Sequence, residues 1–204
     1  MKTRIAIFRN ESADDHLPWL EACSRRAGEI EAVVLDITAS DWLQRFRREK
    51  YDLVLLRPPG RTERYKQLYD ERALILHYHS GLPVYPSLNE VLIYENKRFL
   101  SDWLNINNIP HPGTRVFFDR KEALEWAMSG ISFPVVAKTN IGASGNGVRF
   151  LDDERILSDY ISDAFGRGVG VKTGPKLRKG SLTGKLVKAM TTPGFLKKRL
   201  GEYR

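Results

Sequence analysis

Phe133-Pro134-Val135-Val136-Ala137-Lys138 and the following Gly142-Ala143-Ser144-Gly145-Asn146-Gly147-Val148-Arg149-Phe150 are the residues best suited to chemistry. They read as a short apolar strand ending in a lysine, a glycine-rich loop and a second strand. Gly142, Gly145 and Gly147 let backbone amides approach an anion without side-chain obstruction, and Lys138 adds positive charge. That combination suits the phosphates of a nucleotide. A Walker loop would need Gly-Lys-Ser/Thr running into a helix, and a dinucleotide fingerprint also opens a helix. Here the order is G-x-x-G-x-G and the chain continues as strand. Two readings stand: a glycine hairpin folding over phosphates as a flap, or a plain glycine-rich turn between strands.

Two further cations are candidates. Lys97 falls in a segment read as one helix from about Asn89 to Ile109, with Ser87 as N-cap. Ile93, Leu100 and Leu104 share a face there at helical spacing, and Lys97 lies only about 20° from Leu104. A lysine beside an apolar stripe either meets an anion or carries its ammonium out to water. Arg57 opens Arg57-Pro58-Pro59-Gly60, where two prolines stop a strand. It would sit at the carboxyl end of a parallel strand, the edge where α/β sheets bind ligands. It is read either as an anion-binding residue for substrate or as a surface arginine in a local ion pair. Tyr78, Tyr85 and Tyr94 could line a cleft or fill the core.

The elements that must hold these residues alternate. Strands are expected at Arg4–Phe8, Ala32–Ile37, Leu53–Leu56 and Pro83–Tyr85, with helices near Asp14–Ala27, Asp41–Glu49 and Glu63–His79. Short apolar runs separated by helices imply a parallel sheet covered on both faces, a Rossmann-like layer. Trp19, Trp42 and Leu43 are expected in its core. After a rigid connector, Ile109–Thr114, come an expected strand at Arg115–Phe118, a helix near Arg120–Met128, the Phe133–Lys138 strand, and an acidic amphipathic helix near Asp153–Phe165.

The chain has 204 residues with 33 Lys or Arg against 25 Asp or Glu. The excess of +8 is local: residues 166–204 carry eleven basic residues and one acid, Glu202, leaving 22 basic and 24 acidic residues in 1–165. The basicity therefore belongs to the tail, and it does not make the whole chain a nucleic-acid binder. Cys23 stands alone, which excludes an internal disulfide and a cysteine-built zinc site; it is expected as a small apolar residue on a helix. No apolar run reaches the length of a membrane span, and the amino terminus has too short an apolar core for a secretory signal. A cytoplasmic setting is expected. His77 and His79, two residues apart at a helix end, point to different faces, and His16 and His111 stand alone, so no histidine is assigned to a metal.

Taken in order, Tyr94-Glu95-Asn96-Lys97 opening a helix that ends in Asn108–Thr114, then Phe133–Lys138 and the Gly142–Val148 loop resemble the front half of an ATP-grasp protein over about residues 1–152. The resemblance implies an α/β architecture: a Rossmann-like pre-ATP-grasp domain at 1–87, an α+β first ATP-grasp subdomain with its glycine flap at 88–165, and a basic insertion or tail at 166–204. It implies that Lys97 and Lys138 are the two nucleotide lysines. Gly142, Ser144, Gly145, Asn146 and Gly147 would form the flap over the β and γ phosphates of ATP. Family members activate a carboxylate as an acyl phosphate, which an amine or similar nucleophile captures. Their Mg ligands are acidic and amide side chains of a second subdomain, for which residues 166–204 offer one carboxylate. The expectation is thus the ATP-binding part of such a ligase, the chain being a fragment of it. The alternative is a non-catalytic nucleotide-binding or scaffold protein with an incomplete domain. In the tail, Leu182, Leu186, Val187 and Met190, then Leu196 and Leu200, form apolar stripes among lysines. They suit packing on a missing half, contact with nucleic acid or an anionic membrane, or disorder.

Overall fold

A computed structural model describes residues 2–143, 145, 147–166 and 168–169. Residues Thr3–Arg9 (β1), Ile30–Asp36 (β2), Leu53–Leu56 (β3) and Val84–Tyr85 (β4) form one sheet in the order β2-β1-β3-β4, parallel at every pairing. β1 is central, and its Ile5-Ala6-Ile7-Phe8 run is buried without interruption. Alternate side chains go to opposite faces. Ile5 and Ile7 pack with Cys23 and with Trp19 and Leu20 of helix α1 (Leu17–Ser24). Ala6 and Phe8 pack on the other face with Trp42 and Phe46 of α2 (Trp42–Arg47) and with Tyr69, Ala73 and Leu76 of α3 (Glu63–His79). This is the covered parallel sheet that the alternating pattern predicts.

Cys23 is buried and unbonded, and burial pushes its thiol up, the opposite of what an activated nucleophile needs.

The stretch 89–109 departs from the sequence expectation. It forms two helices, α4 (Leu88–Ile93) and α5 (Lys97–Ile106), with Glu95 between them in the left-handed region at φ 51°. Ser87 does start α4, in a reciprocal capping box with Glu90. A second cap breaks the continuity: the Asn96 side chain accepts from the Phe99 amide at 3.1 Å. Local side-chain bonds of this kind compete with a continuous helix. Ile93 therefore does not share a helix with Leu100 and Leu104, and Lys97 is the first residue of α5 rather than an interior one.

A second sheet follows α6 (Arg120–Ala127). It is the antiparallel pair Val135–Lys138 (β5) and Val148–Leu151 (β6), and α7 (Glu154–Phe165) comes next. Ala123, Ala127, Leu151, Leu157 and Ile161 make its core, with Val135 and Ala137 packed against them. Asp119 and Asp153 cap α6 and α7 at 2.9 and 2.8 Å. The strand expected at Arg115–Phe118 does not form. Its residue types suit a strand, but the segment joins no ladder in either sheet, and Phe118 is exposed.

One charge in α3 lies on the buried stripe. Lys66 donates to both oxygens of Asp70 at 2.5 and 2.6 Å and to the Val91 carbonyl of α4 at 2.8 Å. Burial pushes the ammonium down and the carboxyl up, each against its charged form. The pair is therefore better explained by its geometry, tying α4 to α3, than by net stabilisation. Lys66→Met is expected to lower stability by about 3–5 kcal/mol, because it strands the Asp70 carboxylate. The double change Lys66→Met with Asp70→Leu should recover most of that loss. Urea unfolding of the three proteins measures it.

Candidate functional site

The glycine loop joins β5 to β6. Gly145 and Gly147 have φ of 79° and 75°, which side-chain-bearing residues adopt at a cost. A Cβ on Gly147 would also overlap the Thr139 side chain. The Gly147 carbonyl accepts from the Thr139 amide at 3.1 Å, which closes the hairpin. Ser144 and Asn146 lie outside the described residues. Lys138 ends β5 on the face turned away from Val135 and Ala137, alongside the exposed Val136 and Phe150. Its ammonium makes no hydrogen bond or ion pair among the described residues.

Lys97 is brought to the same place by backbone bonds. Its amide donates to the Asn140 carbonyl at 3.0 Å, and the Arg98 amide donates to the Asn140 side-chain oxygen at 3.0 Å. Asn96 and Ile141 form an isolated bridge. Asn140 thus occupies the otherwise unsatisfied first turn of α5. The Lys97 ammonium donates to the Gly142 carbonyl and, at 2.6 Å, to Glu95. The tertiary structure therefore joins Lys97, the end of the Lys138 strand and the start of the glycine loop, although they are some forty residues apart in sequence.

Arg57 stands immediately after β3, its amide bonded to the Phe8 carbonyl at 3.2 Å. It has an ion-pair partner, Asp15, at the long distance of 3.9 Å. Its guanidinium also lies over the Trp19 ring, 5.3 Å from the centroid, and its Nε is buried without a partner among the described residues. With Trp19, Tyr85, Glu90 and Tyr94 it lines a cavity of about 250 Å³. Of the three tyrosines singled out in the sequence, Tyr85 and Tyr94 line this cavity and Tyr78 is exposed away from it.

The two sites adjoin through the turn between α4 and α5. Tyr94 lines the Arg57 cavity, and Glu95 packs against Gly60 of the Arg57 loop. That loop is held from the strand-end loop after β1. Glu11 accepts from the amides of Gly60, at 3.1 Å, and Arg61, and from the Thr62 hydroxyl at 3.0 Å. Asn10 donates to Asp15 at 2.9 Å and to the Pro58 carbonyl at 3.4 Å.

Over 93 residues the chain is 33% identical to alpha-aminoadipate–LysW ligase LysX of Saccharolobus solfataricus, a match spanning 44% of this chain and 34% of that protein. A RimK domain ATP-grasp protein from Sphaerobacter thermophilus shares its fold, with a TM-score of 0.54 at 22% identity, over 83% of this chain and 61% of the other. The N5-carboxyaminoimidazole ribonucleotide synthetase of Thermus thermophilus gives a TM-score of 0.51 at 20% identity, over 79% and 44%.

Over its amino-terminal part, this chain is related to the ATP-grasp proteins.

No family model matches it. The ATP-grasp relationship covers about a third of the curated relative's length and less than two thirds of these solved structures. Among the described residues no group of three or more His, Cys, Asp or Glu is placed to hold a metal ion. No described helix is long and apolar enough to cross a membrane. The basic segment from residue 170 onward, with its expected contacts, lies outside the described residues.

Sequence reasoning missed three residues of this site. Asn140 carried no signal, because its role is to receive a helix start from elsewhere in the chain. Glu95 has no role of its own in the sequence, where it is one residue of the Tyr94–Lys97 helix opening; its bond to the Lys97 ammonium is visible only in the structure. Glu11 looked like any loop acid. Replacing Glu11 with Ala removes the acceptor for two backbone amides and a hydroxyl. It should cost about 1–3 kcal/mol and speed amide exchange at Gly60 and Arg61 while leaving β5 and β6 protected. Hydrogen exchange resolved by residue tests this.

Proposed function

We propose that this chain is the ATP-binding part of an ATP-grasp ligase that activates a carboxylate as an acyl phosphate for attack by an amine or similar nucleophile. The observation that carries the reading is the docking of α5 on Asn140, which sets Lys97 against the start of the glycine loop, just past the end of the strand that carries Lys138. In this reading residues 1–87 form the pre-ATP-grasp domain, 88–165 the first ATP-grasp subdomain and 166–204 a basic insertion or tail. The kinds of protein it resembles, a LysX ligase and ATP-grasp structures, support the ligase class.

The chain's own residues have separable tasks. Lys138, exposed at a strand end and without a hydrogen-bond or ion-pair partner among the described residues, supplies a positive charge to a triphosphate. Lys97 supplies a second, already oriented by the Gly142 carbonyl. The left-handed glycines turn the loop so that amides can face the same anion. Arg57, at the carboxyl edge of the parallel sheet with its guanidinium over the Trp19 ring, would meet the substrate acid. Together these groups position reactants and neutralise charge, which dominate catalysis of phosphoryl transfer. Magnesium, which the resemblance implies, would be held by residues of a second subdomain.

Lys138→Ala, made in the longer protein of which this chain is read as a part, tests the grip. A charge-assisted hydrogen bond contributes about 1.5–3 kcal/mol, so ATP affinity should fall roughly 10- to 100-fold by titration, and acid-dependent ADP formation should fall with it. Wild-type values for both would show that the phosphate grip lies elsewhere. ATP binding by the longer protein of which this chain is read as a part, with no ADP formed from any acid, would favour the non-catalytic alternative.

A further inference from the structure

We infer that Glu95 is an internal anion that occupies the Lys97 ammonium until a phosphate displaces it, and that Gly60 on the Arg57 loop sets where this anion sits. The identity of the incoming anion rests on the nucleotide reading above.

The Glu95 carboxylate lies 2.6 Å from the Lys97 ammonium, and both side chains are about one quarter exposed, at 26%. The same ammonium donates to the Gly142 carbonyl. Two of its three protons are thus committed, one of them to a negative charge beside the mouth of the glycine loop. A phosphate arriving there meets a competitor for the ammonium and a like charge. Lys97 is the sole hydrogen-bond partner of the Glu95 side chain among the described residues. The carboxylate therefore loses no other bond when it gives way. Its backbone is in the left-handed region at the turn between α4 and α5, and its Cβ and Cγ lie beside Gly60.

Gly60 determines how far the side chain can move. A Cβ at position 60 would stand 2.5 Å from the Glu95 Cγ and 2.7 Å from its Cβ, too close to be accommodated without displacing Glu95. The Gly60 amide is itself anchored to Glu11 at 3.1 Å, so the loop does not simply recede. Arg57, three residues earlier, lines the cavity that Tyr94 also lines. The loop facing the proposed acid is thereby in contact with the residue that restrains the nucleotide lysine.

The experiment titrates the full chain with ATP and, separately, with adenosine, for wild type, Glu95→Gln, Gly60→Ala and the double variant. Glu95→Gln should bind ATP at least about fivefold more tightly, a coupling of ordinary size, with adenosine affinity unchanged because adenosine carries no phosphate. Gly60→Ala should shift ATP affinity in the same direction. The double variant should go no further than Glu95→Gln alone, since the anion that Gly60 places is already gone. Unchanged or weaker ATP binding by Glu95→Gln overturns the inference. So does an equal change for ATP and adenosine, which would mark a merely structural role, or full additivity in the double variant. A wild-type chain that does not bind ATP removes the nucleotide reading and this inference with it. That result is distinct from a wild type that binds ATP while Glu95→Gln leaves its affinity as it was.

Discussion

The docking of the α5 amino terminus on Asn140 is the interaction on which the candidate site depends. A helix start presents amides with no partner in their own helix. Here the Lys97 and Arg98 amides find the main-chain and side-chain oxygens of one residue just beyond β5. Without that docking, Lys97 would be an exposed lysine on a surface helix, and the glycine loop an isolated hairpin turn. With it, a cation from one segment is fixed against the loop of another, and its ammonium is oriented by a loop carbonyl. The bonds are largely to backbone, so they fix position with little dependence on flexible side chains.

A second constraint lies beneath the first. The parallel sheet brings the strand-end loops after β1 and β3 to one edge, where Glu11 and Asn10 bind the 57–62 segment from the side. Lys66 and Asp70 do similar work lower down, joining α3 to the carbonyl of Val91. In both places a charged or polar side chain satisfies groups from an element remote in sequence. Both lie on the path from the Rossmann-like layer to the turn that carries Glu95. The Arg57 cavity and the Lys97 site are therefore parts of one bonded framework.

The open face of the second sheet has a different character. Its inner face is filled by α6 and α7, while Val136 and Phe150 stand 46% and 57% exposed on the other side, next to Lys138. An apolar surface ending in a cation suits a ligand with a flat apolar part and an anionic part, in keeping with the proposed nucleotide.

Much of the fold was legible in the sequence because it follows local rules. The four parallel strands announced themselves as short apolar runs between helical segments, α3 was delimited at the residues where it forms, and Ser87 marked a helix start through its own hydroxyl. The candidate cations were also visible, since Lys138 before a glycine loop and Arg57 before two prolines are local patterns. The sequence alone did not decide whether Arg115–Phe118 finds a ladder, what docks on the start of α5, or that the Lys97 ammonium meets the Gly142 carbonyl. Each depends on a partner far along the chain: a neighbouring strand for the ladder, Asn140 for the helix start, and Gly142 for the ammonium. Periodicity and capping report what a segment prefers by itself, whereas only packed contacts choose among the arrangements those preferences allow.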